Sequence, residues 1–159
     1  MKHSHDTHQH HSMESPYKQL AVMTLVHLAI MYVAMFAMIN RGVYFYNNTN
    51  MLFMAVLMAA PVTLLMVISM RHMYPNQKLN IAICIALALL TIGSYAAIRA
   101  QAGVDDKQFL RAMIPHHSGA LLMCGEANIK DSEIVTLCKS IMESQQREID
   151  QMEGILKRY

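Results

Sequence analysis

The chain has no tryptophan, only four prolines and three cysteines, and charged residues make up just 15% of its 159 positions. Three cysteines do not define a disulfide framework. A formal net charge of only +2 gives no electrostatic footprint for nucleic acid, which is excluded as a partner class. Charge is absent altogether from three stretches, 20–39, 51–70 and 79–98, which contain no Asp, Glu, Lys or Arg.

Apolar residues fill those stretches and bring the chain to 54% hydrophobic. Each block is about 20 residues, or roughly 30 Å as a helix, the thickness of a bilayer's hydrocarbon core. The first is too long for a cleavable signal peptide and has no clean small-residue cleavage site. The expected fold is all-α: three transmembrane helices followed by an antiparallel helical hairpin. The expected division is a His-rich disordered tail at 1–19, a three-helix membrane domain at 20–98 and a hairpin domain at 99–159. Pro61 should kink the second span, which neighbouring helices can accommodate. Tyr17, Tyr44, Tyr46, Tyr74 and Tyr95 fall near span ends, as interfacial anchors do. Lys2 and Lys18 precede span one, Arg71 and Lys78 separate spans two and three, and only Arg41 lies between spans one and two. The positive-inside rule then puts the N-terminus in the cytoplasm and everything after Arg99 outside it.

Soft donors are abundant, with 16 Met and 9 His. His3, His5, His8, His10 and His11 make the tail either a metal-collecting segment or a plain hydrophilic one, and their irregular spacing is unlike a standard tag. Span one carries Met23, His27, Met31, Met35 and Met38, and span two carries Met51, Met54, Met58, Met66, Met70 and Met73. At about 100° per residue each set forms a stripe. The stripes are either ordinary packing surface or facing thioether sites for Cu(I) within the membrane. His27 favours the second reading, because a polar ring in mid-membrane is costly.

After the spans comes Met113-Ile114-Pro115-His116-His117-Ser118-Gly119-Ala120, then Met123 and Cys124. Met113 and His117 share a helical face, as do His116 and Met123. Imidazole with thioether or thiolate suits copper, Cu(I) above all, and not Mg²⁺ or Ca²⁺. Asp105 is an N-cap with Gln108 as a capping-box partner, and Asp131 or Ser132 caps a second helix. Counting outward from a turn near Lys130 sets Cys124 near Cys138, His117 near Gln145, and Met113 near Glu148 or Ile149. Cys124 and Cys138 either form a disulfide in an oxidising compartment or bind metal. A hairpin of about 55 residues buries too little to stand alone. Either two copies pair into a four-helix bundle, or the hairpin docks on its own membrane helices.

The run from Phe109 to Ala120, with Met123, Ile141, Gln145, Glu148, Ile149 and Met152, closely resembles the bacterial domain-of-unknown-function family numbered 305. That resemblance covers 105–156. It implies a ferritin-like helical bundle, exported in most members and associated with copper binding and tolerance in some. It points to Met113, His116, His117 and Met123 as metal ligands, with Met152 a further candidate. By the resemblance Glu148 and Gln145 would be supporting or structural; from the residues alone, Cys124, Cys138, Glu148 and His27 are further candidate donors. Many relatives carry a longer, duplicated bundle, whereas this chain has one hairpin and three expected spans, so a freely soluble carrier role does not transfer directly.

The expected function is therefore a membrane-anchored copper-binding protein, not an enzyme. It would sit in a bacterial inner membrane, form a homo-oligomer through the hairpin, and sequester the metal on the outer side. A structural or oligomerising membrane subunit is the alternative. A carboxylate-bridged di-metal enzyme is a third, which Glu126, Glu143 and Glu148 support poorly because no His follows any of them by three residues.

Overall fold

A computed structural model describes residues 16–159, and the His-rich stretch of the tail lies outside them. Five helices account for the fold: α1 Pro16–Ala34, α2 Thr49–Ser69, α3 Gln77–Arg99, α4 Asp106–Glu126 and α5 Ser132–Leu156. No strand occurs among the described residues. The all-helical architecture is as the sequence implies. The helices α1, α2 and α3 are long and apolar enough to cross a membrane, and side chains such as Leu25, Leu65, Leu89 and Ile92 are exposed along them.

Helix α2 is the middle member of this unit, packed against both α1 and α3. Its buried residues are small or slender: Ala55, Ala59, Ala60, Thr63 and Val67. Small side chains let apolar helices approach closely where water supplies no drive. Thr24 and Thr63 meet across the α1–α2 contact with their hydroxyls 3.4 Å apart. At the far end Tyr17 donates to Asn80 Oδ1 at 2.9 Å and accepts from the Asn76 amide at 3.0 Å. Tyr74 is buried there with Leu20 and Val67, so it is a core residue of this end.

Helix α1 stops at Ala34, five residues before the apolar block ends. Phe36 and Phe45 turn the chain back by stacking with centroids 4.0 Å apart, and Tyr32 packs edge-on against Phe36 at 5.6 Å. Met35 and Met38 therefore leave the helical stripe and join the connection 35–48. Asn48 ends that connection as the N-cap of α2, its side chain accepting from the Met51 amide at 2.9 Å.

Helix α3 closes in a Schellman turn: Gln101 is left-handed at φ 50° and the Ala102 amide reaches back to the Ala97 carbonyl at 2.9 Å. Helix α4 then starts on the Asp105 cap, which accepts from the Gln108 amide at 2.7 Å. The Gln108 side chain does not complete a capping box. It accepts instead from the Thr49 amide of α2 at 3.0 Å, capping a neighbouring helix. Asp131 caps α5 through the Glu133 and Ile134 amides. Helices α4 and α5 pack side by side, and a disulfide joins Cys124 to Cys138 with Cα atoms 5.3 Å apart, within the usual span.

Candidate functional site: the hairpin and its docking pad

The connection 35–48 is the seat on which the hairpin rests. Tyr44 is 4% exposed and sits in one core with Ile114, Leu121 and Ile149, flanked by Tyr46, Met152 and Leu156. Tyr44 and Tyr46 are thus the contribution of the connection 35–48 to the hairpin core. The Gln146 amide group donates to the Tyr44 hydroxyl at 3.3 Å, and the Tyr46 hydroxyl donates to Glu153 at 3.2 Å. Burial, and then the Glu153 carboxylate, push the Tyr46 phenol above its ordinary pKa. Of the two ways to complete the hairpin, docking on the chain's own apolar helical unit is present.

Pro115 organises the other half of the junction. It lacks an N–H, so the Arg111 carbonyl one turn earlier loses its helical partner. Asn48 supplies a donor in its place, at 3.3 Å, and donates its second amide proton to the Tyr46 carbonyl at 3.0 Å. Helix α4 consequently runs unbroken through Pro115. Three residues on, Ser118 is fully buried, accepting from the Asn40 amide and donating to Asn40 Oδ1, each at 2.8 Å. Gly119 lies against Met38, where an added Cβ would be 3.5 Å from the Met38 carbonyl oxygen. Pro, Ser and Gly of the Pro-His-His-Ser-Gly run are therefore the docking surface of α4, and the two His lie between them.

The two imidazoles have different fates. His117 is buried, with Nδ1 2.9 Å from the Met113 carbonyl and Nε2 2.7 Å from Glu148 Oε2. Both nitrogens face acceptors, so both donate when the ring carries two protons, and the Glu148 contact is then charge-assisted. A metal at His117 Nε2 would have to displace Glu148 or take it as a co-ligand. His116 is exposed and has no hydrogen-bond partner among the described residues; its ring centroid is 6.0 Å from that of His117.

The other sequence candidates are dispersed. Met113 is half-buried, Met123 is 55% exposed, and Met152 packs on the Tyr44 core. Cys124 and Cys138 are taken up in the disulfide. Among the described residues no three His, Cys, Asp or Glu gather as a metal would need. A hairpin site must draw on thioether sulfur, or on donors from outside the chain. Met113 and His116 fit a soft ion as a pair, being one turn apart on α4 with a rise of about 5 Å. Met123 is two turns from His116, about 10 Å along the axis, too far to share one ion on the same helix.

The methionine stripes of α1 and α2 meet in part. Met23, Met66, Met70 and Met73 line a cavity of about 300 Å³ between α1 and α2. An adjoining one of about 330 Å³ is lined by Met23, His27 and Met66. His27 has no hydrogen-bond partner among the described residues.

An apolar three-helix unit, each helix long enough to cross a membrane, carrying a docked, disulfide-closed hairpin is the class this architecture defines. Residues 91–156 match the family described as "Domain of unknown function (DUF305)". The chain belongs to that family. It is 37% identical over 111 residues to "Uncharacterized protein L153" of Acanthamoeba polyphaga mimivirus, covering 69% of this chain and 71% of that protein. That alignment is longer than the matched domain, so the likeness extends beyond it. No solved structure matches the chain.

Proposed function

We propose that the protein is a membrane-anchored binder of a soft metal, copper as Cu(I) above all, which it holds on the outer side of a bacterial inner membrane for sequestration or tolerance. The observation that carries this reading is His116, an imidazole left exposed and without a hydrogen-bond partner among the described residues, one turn from Met113 and outside the apolar helices. His117 and Glu148 orient that turn from beneath. The Cys124–Cys138 disulfide supports an oxidising, extracytoplasmic setting for the hairpin.

Two donors from one helix leave room for a third. Met123 of a second copy is a fitting source, since Phe109, Met123, Ile134 and Leu137 leave apolar surface exposed on the hairpin. A homodimer through α4 would then share the ion. The α1–α2 cavities with Met23, His27 and Met66 are a second donor set for the same ion within the bilayer.

The test is a Cu(I) titration of the full chain in detergent against a chromophoric competitor, with Zn²⁺ and Fe²⁺ run alongside. Met113→Leu with His116→Ala is expected to weaken Cu(I) binding at least tenfold and to leave helicity intact. Unchanged affinity in that double variant would refute the assignment. Self-association indifferent to all three metals would favour a purely structural subunit.

A further inference from the structure

A cavity of about 390 Å³ lies where α4 crosses the ends of α1 and α2, lined by Tyr32, Asn47, Thr49, Leu52, Gln108 and Arg111 beside the cap residue Asn48. Its polar groups are unbalanced. Each of its amide oxygens already has a donor: Asn47 Oδ1 takes the Tyr32 hydroxyl, Asn48 Oδ1 caps Met51, and Gln108 Oε1 takes the Thr49 amide. The last of these faces a backbone N–H, so the Gln108 amide orientation is set and its Nε2 remains a donor. Donors are left over on Gln108, Asn47 and Thr49, none of which has a further side-chain bond among the described residues. Arg111 is half-buried, its Nε is buried with no acceptor, and no carboxylate lines the cavity. A guanidinium held this way has no carboxylate paired with it among the described residues, and an oxyanion is what its fork of N–H groups matches.

Position names the source of that oxyanion. Tyr32 is in the last turn of α1 and Thr49 and Leu52 are in the first turn of α2. If the helices span a bilayer, that level is the headgroup layer on the hairpin's side. We infer that this cavity is a phosphate site for a phospholipid headgroup, with Arg111 as its cationic anchor and Gln108, Thr49 and Asn47 as neutral donors. Leu52 and Tyr32 would meet the glycerol and upper acyl carbons. The lipid would then brace the same junction that Asn48 and Pro115 build. This inference rests on the spans crossing a membrane and is independent of any metal.

The test uses the full chain, delipidated in mild detergent, and native mass spectrometry. Phosphatidylglycerol is compared with diacylglycerol of the same chains, which lacks the phosphate, and inorganic phosphate is added in a third arm. The wild type should retain one phosphatidylglycerol at least tenfold more tightly than diacylglycerol. Arg111→Gln should lose that preference, weakening the phospholipid roughly tenfold to a hundredfold, as expected for hydrogen bonds to a charged group. Arg111→Lys, which keeps the charge and guards against a folding defect, should fall between. Arg147→Gln, on the exposed face of α5, should match the wild type. Equal retention of diacylglycerol, or wild-type retention by Arg111→Gln, overturns the site. Tight inorganic phosphate with no phospholipid retained overturns the lipid source.

Discussion

Replacing Tyr44 with Ala isolates the contact on which the hairpin's stability depends. Its ring is 4% exposed and packs with Ile114 and Ile149, each 0% exposed, so truncation opens a cavity between the connection and both hairpin helices. Large-to-Ala changes of buried aromatic residues cost about 3–5 kcal/mol. The hydrogen bond from Gln146 is lost as well. A two-helix hairpin has little stability of its own to spare. A loss of about 3 kcal/mol should lower amide protection across α4 and α5 roughly a hundredfold. Hydrogen exchange followed by mass spectrometry on the detergent-solubilised chain reads this, with α2 as the internal control. Protection in α2 should hold, since Ala55, Ala59 and Val67 are buried against other partners. If α4 and α5 keep wild-type protection while Tyr44 is gone, the hairpin is completed elsewhere, as by a second copy, and the docking argument fails.

Other perturbations follow from the same contacts. Gly119→Ala should stabilise the chain by about 0.5–1 kcal/mol, because its Cβ would meet Met38 at ordinary contact distance while a mid-helix glycine is relieved; a lowered thermal midpoint would refute this. Reducing the disulfide, with Cys124 and Cys138 14 positions apart, should cost the hairpin about 3 kcal/mol and show as a lowered unfolding midpoint for α4 and α5 only. The raised pKa of Tyr46 means its contribution is full below pH 10 and is lost as pH rises through the folded value; Tyr46→Phe should flatten that alkaline limb of the stability curve. Met23→Leu with Met66→Leu preserves volume, so it should leave folding intact and reduce copper accumulation in cells; unchanged accumulation would leave those thioethers as packing.

Much of the architecture was legible in the sequence because apolar length and capping chemistry are local. The three uncharged blocks became α1, α2 and α3, and Asp105 and Asp131 cap α4 and α5 as their side chains allow. The connection 35–48 was not legible. Its apolar and aromatic residues read as the end of a span and its anchors, and only the Phe36–Phe45 stack and the hairpin above give them another role. One signal was available. Pro115 leaves the Arg111 carbonyl without a helical donor, and a buried orphan of that kind demands a partner from elsewhere in the chain. Asn48 was that partner.

One contact of the hairpin seam was not legible from register alone, for a reason that carries to other hairpins. Counting residues outward from the turn pairs Cα positions, and it matched Cys124 with Cys138 because their side chains are short. It set His117 opposite Gln145, whereas the carboxylate that reaches His117 belongs to Glu148, one turn further along α5. Side chains on a helix lean toward its N-terminus, so a long residue covers the turn before its own Cα. On α5, whose N-terminus is at the hairpin turn, Glu148 therefore reaches back to the level of Gln145. The same lean applies to any ligand set read across two helices. The exposed pair is the complement of this geometry: His117 is tied down by a residue that leans toward it, and His116, about 100° around α4, faces outward with Met113 one turn away. On the hairpin the imidazole open to solvent is therefore His116, while His117 is already held by Glu148 in the seam.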